Sequence, residues 1–313
     1  MTGFQRLALA TCVVVFGLII LGGVVRSTDS GLGCEDWPRC NGSFIPEWEA
    51  EVLIEYSHRT TATVAGFMVL ALAVWAWRSY RKTPTVFLPA VASFALLIFQ
   101  AGLGGVTVLN ELPPEIVTVH LATALVLLTL LMITTLAAFA LDRPLAVPRV
   151  SGNLRSLALL ASANLLALML VGAYIAGSDY GLACNGWPLC NGDVLPDSGA
   201  TSIQVNFAHR FLALTLGLFV VALATTAWRQ RARSPLVAHL AVVAAGIYAA
   251  QVIVGASNIW TELSAAASTL HLAVGTLLWV TLALMNIRIN RLHELLRPAR
   301  VEARDAGLAG ATR

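Results

Sequence analysis

Eight stretches of this 313-residue chain stay apolar for roughly the 20 residues that an α-helix needs to cross a bilayer. They lie near residues 7–25, 60–77, 86–108, 117–141, 156–176, 210–228, 236–258 and 267–286. With 58% hydrophobic and 12% charged residues, the composition excludes a soluble globular domain. The first stretch is too long for a signal-peptide core, and no small-residue cleavage site follows it, so it reads as a retained helix. The expected fold is an all-α integral membrane protein with eight transmembrane helices.

The eight stretches are two sets of four. A shift of 151 residues carries His58-Arg59 onto His209-Arg210, Gln100 onto Gln251, Glu111 onto Glu262, and His120-Leu121-Ala122 onto His271-Leu272-Ala273. A shift of 150 carries the Gly31–Gly42 loop, with Cys34 and Cys40, onto Gly181–Gly192, with Cys184 and Cys190. One loop indel explains the change of offset, and the chain is a duplication. An even number of spans per copy returns the chain to its starting side. The two copies are therefore expected as four-helix bundles side by side, related by a pseudo-twofold along the membrane normal. Their expected bounds are 1–141 and 156–287, with a linker over 142–155 that contains Pro144 and Pro148, and a cytoplasmic tail over 288–313.

Charge fixes the expected orientation. Residue 6, the loops 78–85, 142–155 and 229–235, and the tail hold 16 of the 20 lysines and arginines, whereas 13 of the 17 acidic residues lie on the other side. The positive-inside rule places both termini in the cytoplasm and the cysteine loops outside. No charge run suggests a nucleic-acid partner, and the arginine-rich tail reads as a headgroup-facing extension. Compact loops and no transit peptide point to a prokaryotic plasma membrane.

His58, His120, His209 and His271 fall at the outer ends of stretches 2, 4, 6 and 8. An ionisable side chain at membrane depth is costly and marks function by default. A single such histidine reads more simply as an interfacial residue bonded to a carbonyl; four at repeat-related positions do not. Two histidines on facing helices, with no third His, Asp or Glu recurring in both copies, suit axial ligation of haem iron. Zinc or copper would need further ligands. Gly102, Gly104, Gly105, Gly255 and Ala256 would leave room for a flat macrocycle, or would simply allow close helix packing. Arg59 and Arg210, each beside a ligand histidine, are candidates to pair with haem propionates, against ordinary snorkelling to headgroups. His239 and His293 read as structural or solvated.

The C-x5-C pairs Cys34–Cys40 and Cys184–Cys190 lie in Gly-, Pro- and Trp-containing loops on the oxidising side and are expected as disulfides. A zinc site shared by four thiolates and a thiol pair that cycles in turnover are the competing readings. Cys12 reads as a buried small hydrophobe. The repeat breaks at Glu55, one helical turn before His58, whose counterpart is Asn206. A carboxylate there can move protons or stabilise an oxidised carbon centre. The plainer reading is one more acid in a loop with Glu47, Glu49 and Glu51.

The block Glu55-Tyr56-Ser57-His58-Arg59, the block His120-Leu121-Ala122, their second-half partners and the outer cysteine loop together resemble the haem A synthase family, over residues 1–287. That resemblance implies oxidation of the C8 methyl of haem O to a formyl group for cytochrome c oxidase, by hydroxylation to a geminal diol that loses water. It implies haem b as cofactor on His209 and His271, and haem O as substrate at His58, His120 and Glu55. Cys34–Cys40 matches the family's first-loop pair. If both His58 and His120 ligate the substrate, either one ligand leaves or Glu55 assists water attack after electron removal. The electron donor, contact with the farnesyl-transferring haem O synthase, and a homo-oligomer stay open. The rival readings are a bis-histidine cytochrome b passing electrons from quinol, which predicts two similar permanent haems, and a transporter, which predicts none.

Overall fold

In the computed structural model the described residues are 1–143, 145–146, 148–196 and 199–292, and they form eight long helices. They are α1 Gly3–Ser27, α2 Ala50–Tyr80, α3 Pro84–Leu109, α4 Pro114–Asp142, α5 Gly152–Gly177, α6 Thr201–Arg229, α7 Pro235–Trp260 and α8 Ala265–Ile289. All eight are long and apolar enough to cross a membrane, as the hydropathy pattern predicts. No β-sheet occurs among the described residues, only two isolated bridges in the disulfide loops.

Local chemistry sets the helix ends. Thr2 and Gln5 close a capping box at the start of α1, and Ser151 and Ser264 cap α5 and α8 through their hydroxyls. Pro84, Pro114 and Pro235 stand at first-turn positions, where no N–H is needed. The α3–α4 and α7–α8 turns are copies of each other. Leu112 N–H donates to the Thr107 carbonyl at 2.8 Å, and Leu263 N–H to the Asn258 carbonyl at 2.7 Å, the six-to-one bond of a Schellman ending. Glu111-Leu112 and Glu262-Leu263 all take positive φ, from 50° to 63°. A left-handed leucine is strained. Each such leucine is held by packing over a glycine of the nearby disulfide loop, Leu112 over Gly31 and Leu263 over Gly181.

Two helix boundaries differ from the hydropathy reading. Helix α2 starts at Ala50 rather than near 60, and α6 at Thr201 rather than near 210. The first turns of α2 hold Glu51, Glu55, Ser57, His58 and Arg59, whose polarity hides the helix from any apolar window. Helix α8 likewise runs past 287 to Ile289, so Arg288, assigned to the tail, is buried and donates to the Ala146 carbonyl at 2.8 Å. His293 and the rest of the tail lie outside the described residues, as does Pro144 of the linker.

Two apolar cores form, one from α1–α4 and one from α5–α8, and Ala283 and Ile287 of α8 join the first. Polar ties sit between helices that are distant in sequence. Gln5 on α1 donates to the Ala138 carbonyl at 3.0 Å and to Asp142 at 2.6 Å. Asn286 on α8 donates to the Ala158 carbonyl at 3.1 Å and to Ser162 at 2.8 Å. Trp279 on α8 reaches Thr129 on α4 at 3.2 Å. At the loop end, Arg26 at the end of α1 binds Asp29 at 2.9 Å and Asp179 at 2.7 Å, and also the Ala176 carbonyl at the end of α5. One side chain thus ties the first copy to the second.

Candidate functional site

The four histidines lie about two turns into their helices, on the same end of the molecule as the disulfide loops. Each rests the Cε1 edge of its ring on a glycine of the preceding helix. A Cβ added at Gly22 on α1 would stand 3.2 Å from His58 Cε1, and one at Gly104 on α3 would stand 3.4 Å from that of His120. The same contacts recur at 3.0 Å from Gly172 on α5 to His209, and from Gly255 on α7 to His271. At Gly22, Gly172 and Gly255 an added Cβ would press the ring by a few tenths of an ångström, whereas at Gly104 it would just touch it. Gly22 and Gly172 are repeat partners, as are Gly104 and Gly255. Sequence reasoning singles out only the second pair, because a glycine in an apolar helix carries no mark of its own; its place opposite a repeated histidine is the signal that could have found the first. Of the other small residues, Gly105 lies under the Trp37 indole and Gly102 faces open space.

The Nδ1 atoms of His58, His120 and His209 are buried without a hydrogen-bond partner, although the rings as wholes are half-buried. Their remaining exposure therefore lies on other ring atoms. Ring centres of His209 and His271 are 6.4 Å apart. No group of three or more His, Cys, Asp or Glu able to hold a bare metal ion occurs among the described residues.

The cysteines form two disulfides, Cys34–Cys40 and Cys184–Cys190, so no four-thiolate zinc site exists. The loops around them bond alike. Cys40 and Ser43 exchange backbone bonds at 2.9 and 3.1 Å, and Cys190 and Asp193 at 3.1 and 3.0 Å. Asn41 and Asn191, at φ 53° and 57°, accept from the N–H of residues 35 and 185. Free Cys12 is half-buried in α1 against Thr135. His239 is exposed at the start of α7.

Arg59 and Arg210 are where the sequence placed them, beside the histidines, but their guanidinium groups also anchor the loops. Arg59 donates to the carbonyls of Asp36 at 2.7 Å, Arg39 at 2.8 Å and Cys34 at 2.8 Å, and through Nε to Glu55 at 2.7 Å. Arg210 donates to the carbonyls of Cys184 at 2.7 Å, Gly186 at 3.0 Å, Pro188 at 3.3 Å and Leu189 at 2.7 Å. Each disulfide loop is thus a ring of carbonyls closed on the arginine that follows a histidine. Sequence alone misses this, since nothing in it tells where loop carbonyls point. Glu55 is 5% exposed and shares α2 with its partner Arg59. In the second copy Asn206 replaces the carboxylate and donates directly to the carbonyls of Tyr180 at 3.0 Å and Gly181 at 3.3 Å.

A family model described as cytochrome oxidase assembly protein matches residues 5–283. The heme A synthase of Symbiobacterium thermophilum is 30% identical over 290 residues, which is 90% of this chain and 94% of that protein. That of Halalkalibacterium halodurans is 32% identical over 284 residues, 88% of this chain and 94% of the relative. That of Geobacillus kaustophilus is 30% identical over 262 residues, 82% of each.

Proposed function

The chain belongs to the cytochrome oxidase assembly protein family, and from that premise we propose that it is a haem A synthase whose first half oxidises haem O and whose second half holds haem b. It is a multi-pass membrane oxidoreductase of haem A biosynthesis, and the heme A synthases it resembles match 88–90% of its length. The observation that carries the division of labour is the repeat-related set of four glycine-backed histidines with a buried carboxylate in the first half alone.

The residues fit a haem in each half. Two imidazoles on opposite sides of one metal, with bonds of about 2 Å each, have ring centres a little over ~6 Å apart, which the His209–His271 spacing of 6.4 Å matches. Sealed Nδ1 atoms leave Nε2 as the ligating nitrogen. The haem b iron, when bound, supplies one-electron redox chemistry. His209 and His271 would hold it, and His58 and His120 would hold the iron of the substrate. Glu55, buried one helical turn from His58 and held by Arg59, would accept a proton released when the substrate methyl is oxidised. Arg59 has four of its five N–H groups engaged. The one left, with those of Arg210 outside its loop, would be available to pair with haem propionates. Both termini lie in the cytoplasm, with the disulfide loops outside.

Haem extraction and chromatography of protein purified from cells supplying haem O tests this. Wild type should yield haem b with haem A, and Glu55→Ala should yield haem b with haem O or a hydroxylated intermediate. Two haem b per chain, unchanged in the variant, would make the protein an electron-transfer cytochrome instead. The glycine contacts give a second expectation. Gly172→Ala should tilt His209 and shift the low-spin electron paramagnetic resonance signal of haem b while leaving its amount intact; an unchanged signal would mean that the glycine does not set the ring.

A further inference from the structure

In each half a glutamine on the third helix reaches the histidine on the fourth. Gln100 and Gln251 both donate from Nε2 to that histidine's own carbonyl, at 2.9 Å in each case. There the likeness ends. Gln251 Nε2 also lies 3.2 Å from His271 Nδ1, and its Oε1 is buried without a partner. Gln100 Oε1 instead accepts from the Thr123 hydroxyl, and His120 Nδ1 is left buried and alone. Two substitutions between the copies produce the difference. Thr123 corresponds to Val274, which has no hydroxyl to offer. Ala124 corresponds to Gly275, where an added Cβ would stand 3.2 Å from Gln251 Nε2.

An imidazole that gives its Nε2 lone pair to a metal carries its remaining proton on Nδ1, and that proton needs an acceptor. Such an outer partner orients the ring and strengthens the ligand. A half-turn of the Gln251 amide brings its unpartnered oxygen to His271 Nδ1, in exchange for the bond from Nε2 to the His271 carbonyl. For Gln100 the same turn would also break the bond that its oxygen accepts from Thr123, so His120 gains such support less readily. On the reading that each half binds a haem between its histidines, we infer that His120 is held less firmly than its repeat partner His271, which makes the first-half haem the more exchangeable of the two, and that Thr123 and Ala124, acting through Gln100, make it so. They are positioning residues: neither ligates, and both decide how firmly a ligand is held. A substrate site must release its haem after every turnover and a cofactor site must not, and this difference between the copies meets both needs.

The test loads full-length protein with haem b and follows transfer to excess apomyoglobin by absorbance. Wild type should show a fast phase from the first half and a slow phase from the second. Thr123→Val with Ala124→Gly should slow the fast phase about 10–100-fold, the usual effect of an outer-shell partner, and shift the low-spin resonance signal of that haem. Val274→Thr with Gly275→Ala should speed the slow phase by a similar factor, and Thr123→Ser should change nothing. The near-isosteric single variants Thr123→Val and Val274→Thr, run alongside, should move the same phases in the same directions. Two loaded haems with phases indifferent to these changes would overturn the inference. A wild type that loads no haem would overturn the functional reading beneath it.

Discussion

Replacing His209 with alanine is expected to remove haem b from the protein entirely and to stop haem A formation, while leaving the first half able to take up haem O. The ring it removes is one of a pair whose centres are 6.4 Å apart, the separation of ligands across one iron. No third His, Cys, Asp or Glu clusters there among the described residues to replace it. His58→Ala should do the reverse: haem b stays, its low-spin spectrum unchanged, and neither haem O nor haem A is recovered on extraction. Reciprocal loss in the two variants is the signature of divided labour. If either variant loses both haems in equal measure, the two sites are not independent and the assignment of one half to substrate fails.

Arg59→Ala is the change expected to cost the most stability. Its guanidinium closes the Cys34–Cys40 loop through three carbonyls and pairs with Glu55, whose side chain is 6% exposed. Removing one partner of a buried pair strands the other charge, at about 3–5 kcal/mol. Arg210→Ala breaks one carbonyl bond more but strands no carboxylate, since Asn206 stands in place of Glu55. Its loss should be smaller, about 1–3 kcal/mol for polar groups left unsatisfied. Thermal unfolding of the two variants should rank them in that order, and Glu55→Gln added to Arg59→Ala should recover part of the stability. Equal destabilisation of the two arginine variants would show that the buried ion pair contributes nothing beyond the loop bonds.

Features set by side-chain pattern are legible in the amino-acid sequence. Eight apolar runs correspond to eight helices, and the offset of 151 residues pairs the histidines. The spacing of the cysteines anticipates both disulfides. The pattern misjudges the start of α2 and α6, where charged and polar residues inside a helix mimic a loop. It misses contacts made by groups with no identity of their own in a sequence: the carbonyls around Arg59 and Arg210, and the absent side chains of Gly22 and Gly172. The Glu55–Arg59 pair is legible as a four-residue helical spacing. The three-residue spacing to His58 draws attention first, but the nearer claim on that carboxylate is the arginine.

Helix α1 packs on α8 as α4 packs on α5. Phe4 near the beginning of α1 and Ile287 near the end of α8 share one core, so the first and last helical turns are neighbours. Only one of these two seams is joined by peptide, through the short segment between Asp142 and Gly152. Cutting there and sewing a comparable segment from α8 to α1 would yield a chain that begins with α5 and ends with α4, with every interhelical seam preserved. The order of the two halves along the chain is thus not dictated by the packing, and a permuted gene should encode the same helical arrangement.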